Sequence, residues 1–136
     1  TPYLLQFKTV AATGDPVVSV GKTVMNAPGI VNAKSVAGST LTPHIFYAVD
    51  NKLYKYETTS NTYEDAFTFA SNESITVIDY QKFAPETGNQ RLVVATWNGT
   101  ESRFYYFDIS NVGKLGTSYT NVFTGFKKIV DIAYKF

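Results

Sequence analysis

Apolar positions along this chain come in short runs rich in β-branched and aromatic residues. Gly, Asn, Asp and Pro cut the runs apart, which is the pattern of strands rather than of helices. The runs that predict strands are 3–10, 16–24, 30–36, 44–49, 52–57, 63–69, 75–80, 91–97, 103–109, 118–123 and 129–136. No stretch predicts a helix. Asp50-Asn51 and Asn98-Gly99 fall between paired runs, and both dipeptides tolerate the positive φ of a tight hairpin. Each therefore predicts a hairpin tip, the second lengthened by Thr100-Glu101-Ser102.

Laid on itself, the chain repeats. Ile75-Thr-Val-Ile-Asp-Tyr80 matches Ile129-Val-Asp-Ile-Ala-Tyr134, and Ile30-Val-Asn-Ala-Lys-Ser35 is a fainter copy, at offsets of 54 and 45 residues. After each of the first two copies in chain order come a Gly-containing loop, an apolar strand, a tight turn, a strand, and a closing run that ends at Phe69 or Phe123. Four antiparallel strands recurring at this period predict an all-β, β-propeller-like region of consecutive four-stranded blades, each hiding its apolar faces against its neighbours. Residues 30–74 and 75–128 form the blade units, with partial blades at 1–29 and 129–136. Propellers have about four to eight blades. Either the remaining blades come from missing upstream chain or from other copies, or the units pack as a different sandwich, and a start at Thr1 without Met fits a fragment.

Composition narrows the function classes. The 136 residues carry 12 Lys and Arg against 11 Asp and Glu, a net charge of +1 without like-charge runs, which argues against nucleic acid as a partner. No Cys is present, so disulfides, thiol catalysis and Cys-based zinc sites are excluded, and a single His rules out multi-histidine metal sites. No cofactor motif and no transmembrane segment stands out, and the N-terminus lacks the pattern of a signal peptide. The marked feature is 15% aromatic residues, with ten Tyr and ten Phe.

No catalytic constellation is visible, so the expected role is a non-enzymatic binding or scaffold module. Two ligand-binding groupings emerge. Trp97, the only tryptophan, ends a strand beside Asn98, where an indole either stacks on a sugar ring or covers its hairpin by cross-strand packing. On the inner strands, period-two alternation puts Asn32, Val77 and Asp131 at equivalent places, as it does Lys34, Asp79 and Ala133. Polar groups there either line a central channel or satisfy one another between blades, as a Lys34–Asp79 pair would. His44 follows Pro43 at a strand entrance and reads as a surface or rim residue, Glu64-Asp65 as a solvated pair. Tyr54, Tyr56 and Tyr105 read as core filler, and Asn72-Glu-Ser74 as a chance match to a glycosylation acceptor.

The stretches Leu92-Val-Val-Ala-Thr-Trp-Asn-Gly99, Arg103-Phe-Tyr-Tyr-Phe-Asp108, Gly113-Lys-Leu115 and Phe123-Thr-Gly-Phe-Lys-Lys-Ile-Val-Asp-Ile-Ala-Tyr-Lys135 resemble the end of the PKD-like lipoproteins of Bacteroidetes. Ile45-Phe-Tyr-Ala-Val-Asp-Asn-Lys-Leu-Tyr-Lys-Tyr56 is similar to their preceding unit. The resemblance covers most of residues 30–136 and is carried by structural motifs. It implies a lipid-anchored protein of the cell envelope, at the outer-membrane surface, whose propeller-like region follows smaller β-sandwich domains. Its implied partners are a glycan or outer-membrane uptake proteins. The lipid-bearing cysteine and the sandwich domains do not occur in this sequence. The alternatives within these expectations are a protein–protein scaffold without a small ligand and a part of a glycan-degrading propeller enzyme.

Overall fold

The structure, a computed structural model, describes residues 1–10, 17–38, 42–82, 90–110, 113–119 and 127–133. These residues form ten strands in three antiparallel sheets, with no α-helix among them. Strands β1 (Tyr3–Val10) and β2 (Val17–Val24) make a two-stranded sheet. Sheet I runs β3 (Ser35–Gly38), β4 (His44–Val49), β5 (Lys52–Glu57), β6 (Thr62–Thr68), and sheet II runs β7 (Ser74–Lys82), β8 (Gln90–Trp97), β9 (Ser102–Ile109), β10 (Leu115–Tyr119). Each four-stranded sheet is a meander in which sequence neighbours pair. Both predicted hairpin tips form. Asp50 takes φ +52° in the two-residue turn between Val49 and Lys52. In the longer β8–β9 turn the Asn98 side chain accepts from the backbone N–H groups of Thr100 and Glu101, at 2.9 and 2.8 Å.

Alternation along β4 explains why His44–Val49 reads as an almost unbroken apolar run: sheet I is covered on both faces. Phe46 and Ala48 point toward sheet II and join Leu53, Phe69, Ile75, Ile78, Leu92, Val94 and Phe107 in one core. Tyr47, with Tyr56 behind it, points the other way and packs with Met25 and Ala27, against which Leu4 of β1 also rests. The layers are pinned by polar contacts at their ends. The Ser35 hydroxyl accepts from the Ile78 N–H at 3.0 Å, joining β3 to β7. Asn61, held at φ +54°, accepts from the Asn26 N–H and from the Tyr56 hydroxyl, and donates to the Val24 carbonyl. The exit of β2 is thereby tied to the β5–β6 turn.

Two strand expectations fail. The segment Ile30–Asn32 forms a single 3-10 turn, because Pro28 and a left-handed Gly29 at φ +73° bend the chain and Asn32 N–H bonds back to the Gly29 carbonyl at 2.9 Å. The strand begins only at Ser35, which pairs with Ala48 as Ile75 pairs with Thr96. Val49 and Trp97 close equivalent hairpins, so the true counterpart of Ile75 is Ser35, at a spacing of 40 residues rather than 45. The second failure is in the expected run 129–136, whose described residues 129–133 form no strand and join none of the three sheets. The expected run 118–123 shares 118–119 with β10, and residues 120–126 and 134–136 lie outside the described residues.

The buried Tyr47 gives a measurable consequence. Its hydroxyl donates to the Pro28 carbonyl at 3.0 Å and its ring stacks on Tyr54 at 5.0 Å. Burial first, then the neighbouring Tyr54, Tyr63 and Asp65, push its pKa up from 10.0 to about 12. The folded value exceeds the unfolded one, so the associated stability is complete below pH 10 and is lost as pH rises toward 12. Chemical denaturation across that range should show a loss of about 2–3 kcal/mol. Tyr47→Phe should flatten the dependence, and a pH profile unchanged in that variant would reject the assignment.

Candidate functional site

The register of sheet I gathers polar side chains at the outer end of the face that turns toward sheet II. His44 lies opposite Glu57, Glu57 opposite Thr62, and Lys55 opposite Glu64, so the strand pleat puts all five on one face. Two close contacts between basic and acidic side chains result. The His44 Nε2 is 2.7 Å from Glu57 Oε2, and the Lys55 Nζ is 2.7 Å from Glu64 Oε1. Ser60 and Thr62 share a hydroxyl–hydroxyl hydrogen bond of 2.7 Å beside them. Together with Tyr63 these residues line an open groove of about 380 Å³.

Tyr63 sits on the edge strand and borders two hollows. Besides the polar groove it lines a cleft of about 340 Å³ on the opposite face, walled by Pro2, Met25, Ala27, Pro28 and Ile30. Its ring is 43% exposed and is steadied by an edge contact with Tyr54 at 6.4 Å. Because Tyr63 alternates with Thr62 and Glu64 and lies opposite Tyr56, the pleat turns its ring to the face away from sheet II, so the polar groove offers carboxylates and hydroxyls while the ring serves the apolar cleft.

His44 corrects the expectation of a rim residue. It is 6% exposed, and its Nδ1 has no hydrogen-bond partner among the described residues, with Gly113 from the β9–β10 connection closing over the ring. A Cβ added at Gly113 would stand 2.7 Å from the His44 ring. The imidazole thus wedges between the two sheets, with only its Nε2 side turned to Glu57.

A second polar group, unforeseen in the sequence, surrounds Glu73 just before β7. This carboxylate is buried; its Oε1 accepts from the Tyr105 hydroxyl at 2.7 Å and the Thr96 hydroxyl at 3.4 Å, and lies 3.5 Å from Arg103 Nη1. Burial, then the bond to Glu73, hold the Tyr105 pKa above its ordinary value. Arg103 is drawn up chiefly by its bond to Glu101. The arrangement closes the end of the inter-sheet core.

The predicted site residues fall on the β8–β9 turn, the 3-10 turn, the entry to β3, β7 and the segment after residue 127. Trp97 and Asn98 are half-buried at the β8–β9 turn, where the Asn98 side chain is occupied by its own turn. Asn32 lies exposed in the 3-10 turn and Lys34 exposed just before β3, so the common strand face assigned to them does not exist. Asp79 is half-buried on β7 opposite Val93, and among the ion pairs of the described residues none joins it to Lys34. Asp131 is exposed and accepts from the N–H of its neighbour Ile132 at 2.9 Å.

Comparison with known proteins assigns no family. No family model matches the chain, and neither a curated protein nor a solved structure matches it. The functional reading therefore rests on the side chains themselves. No helix among the described residues is long and apolar enough to cross a membrane.

Proposed function

We propose that this chain is a non-enzymatic binding module built of stacked, blade-like sheets, and that it holds a carbohydrate in the sheet I groove. The observation that carries the reading is the set of Glu57, Glu64, Ser60 and Thr62 around one hollow at the edge strand that carries Tyr63. Sugars present a rim of hydroxyls, and this groove offers donors and acceptors to them. The resemblance to PKD-like lipoproteins supports a setting at the bacterial cell envelope, with a glycan or an outer-membrane uptake protein as partner.

A recurring hook supports the blade-like reading. The Ile75 N–H bonds to the Asp50 carbonyl at 2.7 Å, on the hairpin tip of sheet I. The Ile129 N–H bonds to Ser102 Oγ at 3.0 Å, at the hairpin end of sheet II. Each unit starts from the turn of the one before it, as successive blades do.

Calorimetric titration with a glycan panel tests the site. Thr62→Ala, which removes a hydroxyl from the lining, should weaken binding by roughly 3- to 10-fold, the worth of one hydrogen bond. Trp97→Ala should leave affinity unchanged; the reverse outcome would move the site to the β8–β9 turn, and silence across the panel would remove the carbohydrate reading. A second reading, a protein scaffold, draws on the free edge of β6, where Tyr63 and Phe67 stay exposed. Co-purification of a protein partner lost on substituting Phe67, without any sugar affinity, would favour it.

A further inference from the structure

We infer that the sheet I groove selects a short, uncharged saccharide and discriminates against acidic ones; this rests on the carbohydrate reading above. The discrimination comes from how the charged lining groups are already committed. Glu57 gives Oε2 to His44 and Glu64 gives Oε1 to Lys55, both at 2.7 Å. Each carboxylate is already matched by a basic side chain, so the groove offers no uncommitted cation. An entering carboxylate or sulfate must compete with Glu64 for Lys55. A cationic sugar gains less than the carboxylates suggest, because each already faces a basic group at hydrogen-bond distance.

An uncharged hydroxyl has no such conflict. The second oxygen of each carboxylate is an acceptor for a sugar O–H, and a charge-assisted bond of this kind is about twice as strong as a neutral one. Ser60 and Thr62 both donate and accept, matching the dual character of the sugar hydroxyl. The hollow, about 380 Å³, lies at the lower end of the roughly 300–1,000 Å³ of small-ligand sites. That size suits the end of a glycan or a free disaccharide better than the middle of a polymer.

The test is titration of the full chain with maltose, cellobiose, lactose and mannobiose, with digalacturonic acid, and with the glucosamine disaccharide. At least one neutral disaccharide should bind about tenfold or more tighter than digalacturonic acid, with an affinity that changes little between low and high salt, since no net charge is neutralised. Glu64→Gln removes one negative charge beside Lys55 on an exposed side chain, so the fold is kept. It should weaken neutral binding by about tenfold and narrow the gap to digalacturonic acid. Tighter binding of the acidic or the amino disaccharide than of every neutral one overturns the selectivity while the carbohydrate reading stands. Unchanged discrimination in Glu64→Gln also overturns it. Failure of every sugar to bind overturns both.

Discussion

Phe107→Ala is expected to lower the unfolding free energy by about 3–5 kcal/mol, the cost of a large cavity in a packed aromatic core. Phe107 is 1% exposed on β9 and stands edge-on to Phe67 at 5.0 Å and near-perpendicular to Phe69 at 6.2 Å. Phe69 also tilts onto Tyr105 at 4.7 Å. Phe67 and Phe69 end sheet I while Tyr105 and Phe107 belong to sheet II, so these rings are the seam between the two layers. A domain of this size has about 5–15 kcal/mol to lose, and the substitution removes a large share of it. Denaturant unfolding followed by far-UV circular dichroism and by Trp97 fluorescence measures the loss. The two probes should give coincident transitions, because neither sheet covers its own apolar face without the other. Phe46→Ala, from the opposite side of the same core, should combine with Phe107→Ala non-additively. A loss below about 1 kcal/mol would mean that the seam collapses around the gap and that the stacking is held elsewhere.

The strands were readable because their signals are local. Residues 44–49 and 52–57 are β-branched and aromatic runs flanking Asp50-Asn51, and the observed bounds coincide with the expected ones. The copy at Ile30 misled because an apolar pattern can be imitated, whereas the turn chemistry of Pro28-Gly29 immediately before it decides the backbone. A register irregularity between Ile75 and Val77 further blurs the comparison, since one extra residue shifts the pleat without changing composition. The candidate site was half visible. Lys55, Glu57 and Glu64 alternate on paired strands, and a four-residue turn at 58–61 sets Lys55 opposite Glu64, a cross-strand signal that register reasoning can find. His44 was beyond local reasoning, because its burial depends on Gly113, which the chain brings over it from the other sheet. Trp97 drew attention as a solitary indole; it is half-buried at its hairpin, and the polar groups that line the groove lie on sheet I.

Glu73→Ala should cost about 3–4 kcal/mol, although Glu73 sits in a polar tripeptide that suggests nothing of the kind. The carboxylate is 5% exposed, and removing it strands the Tyr105 hydroxyl, the Thr96 hydroxyl and one side of Arg103 at the end of the core. Glu73→Gln keeps an acceptor for Tyr105 and should cost about half as much or less. The alkaline limb separates this account from simple loss of packing. Burial and then the Glu73 bond hold the Tyr105 pKa above the ordinary tyrosine value of 10.0, so the bond's contribution is complete below that pH and fades as pH rises through the folded value. The gap between parent and Glu73→Ala should accordingly be widest near neutral pH and narrow in the alkaline range. Spectrophotometric titration should show one tyrosine ionising earlier in the variant, still above the ordinary value because burial remains. A gap constant across the whole pH range would show that Glu73 acts by filling space and not by holding the Tyr105 proton.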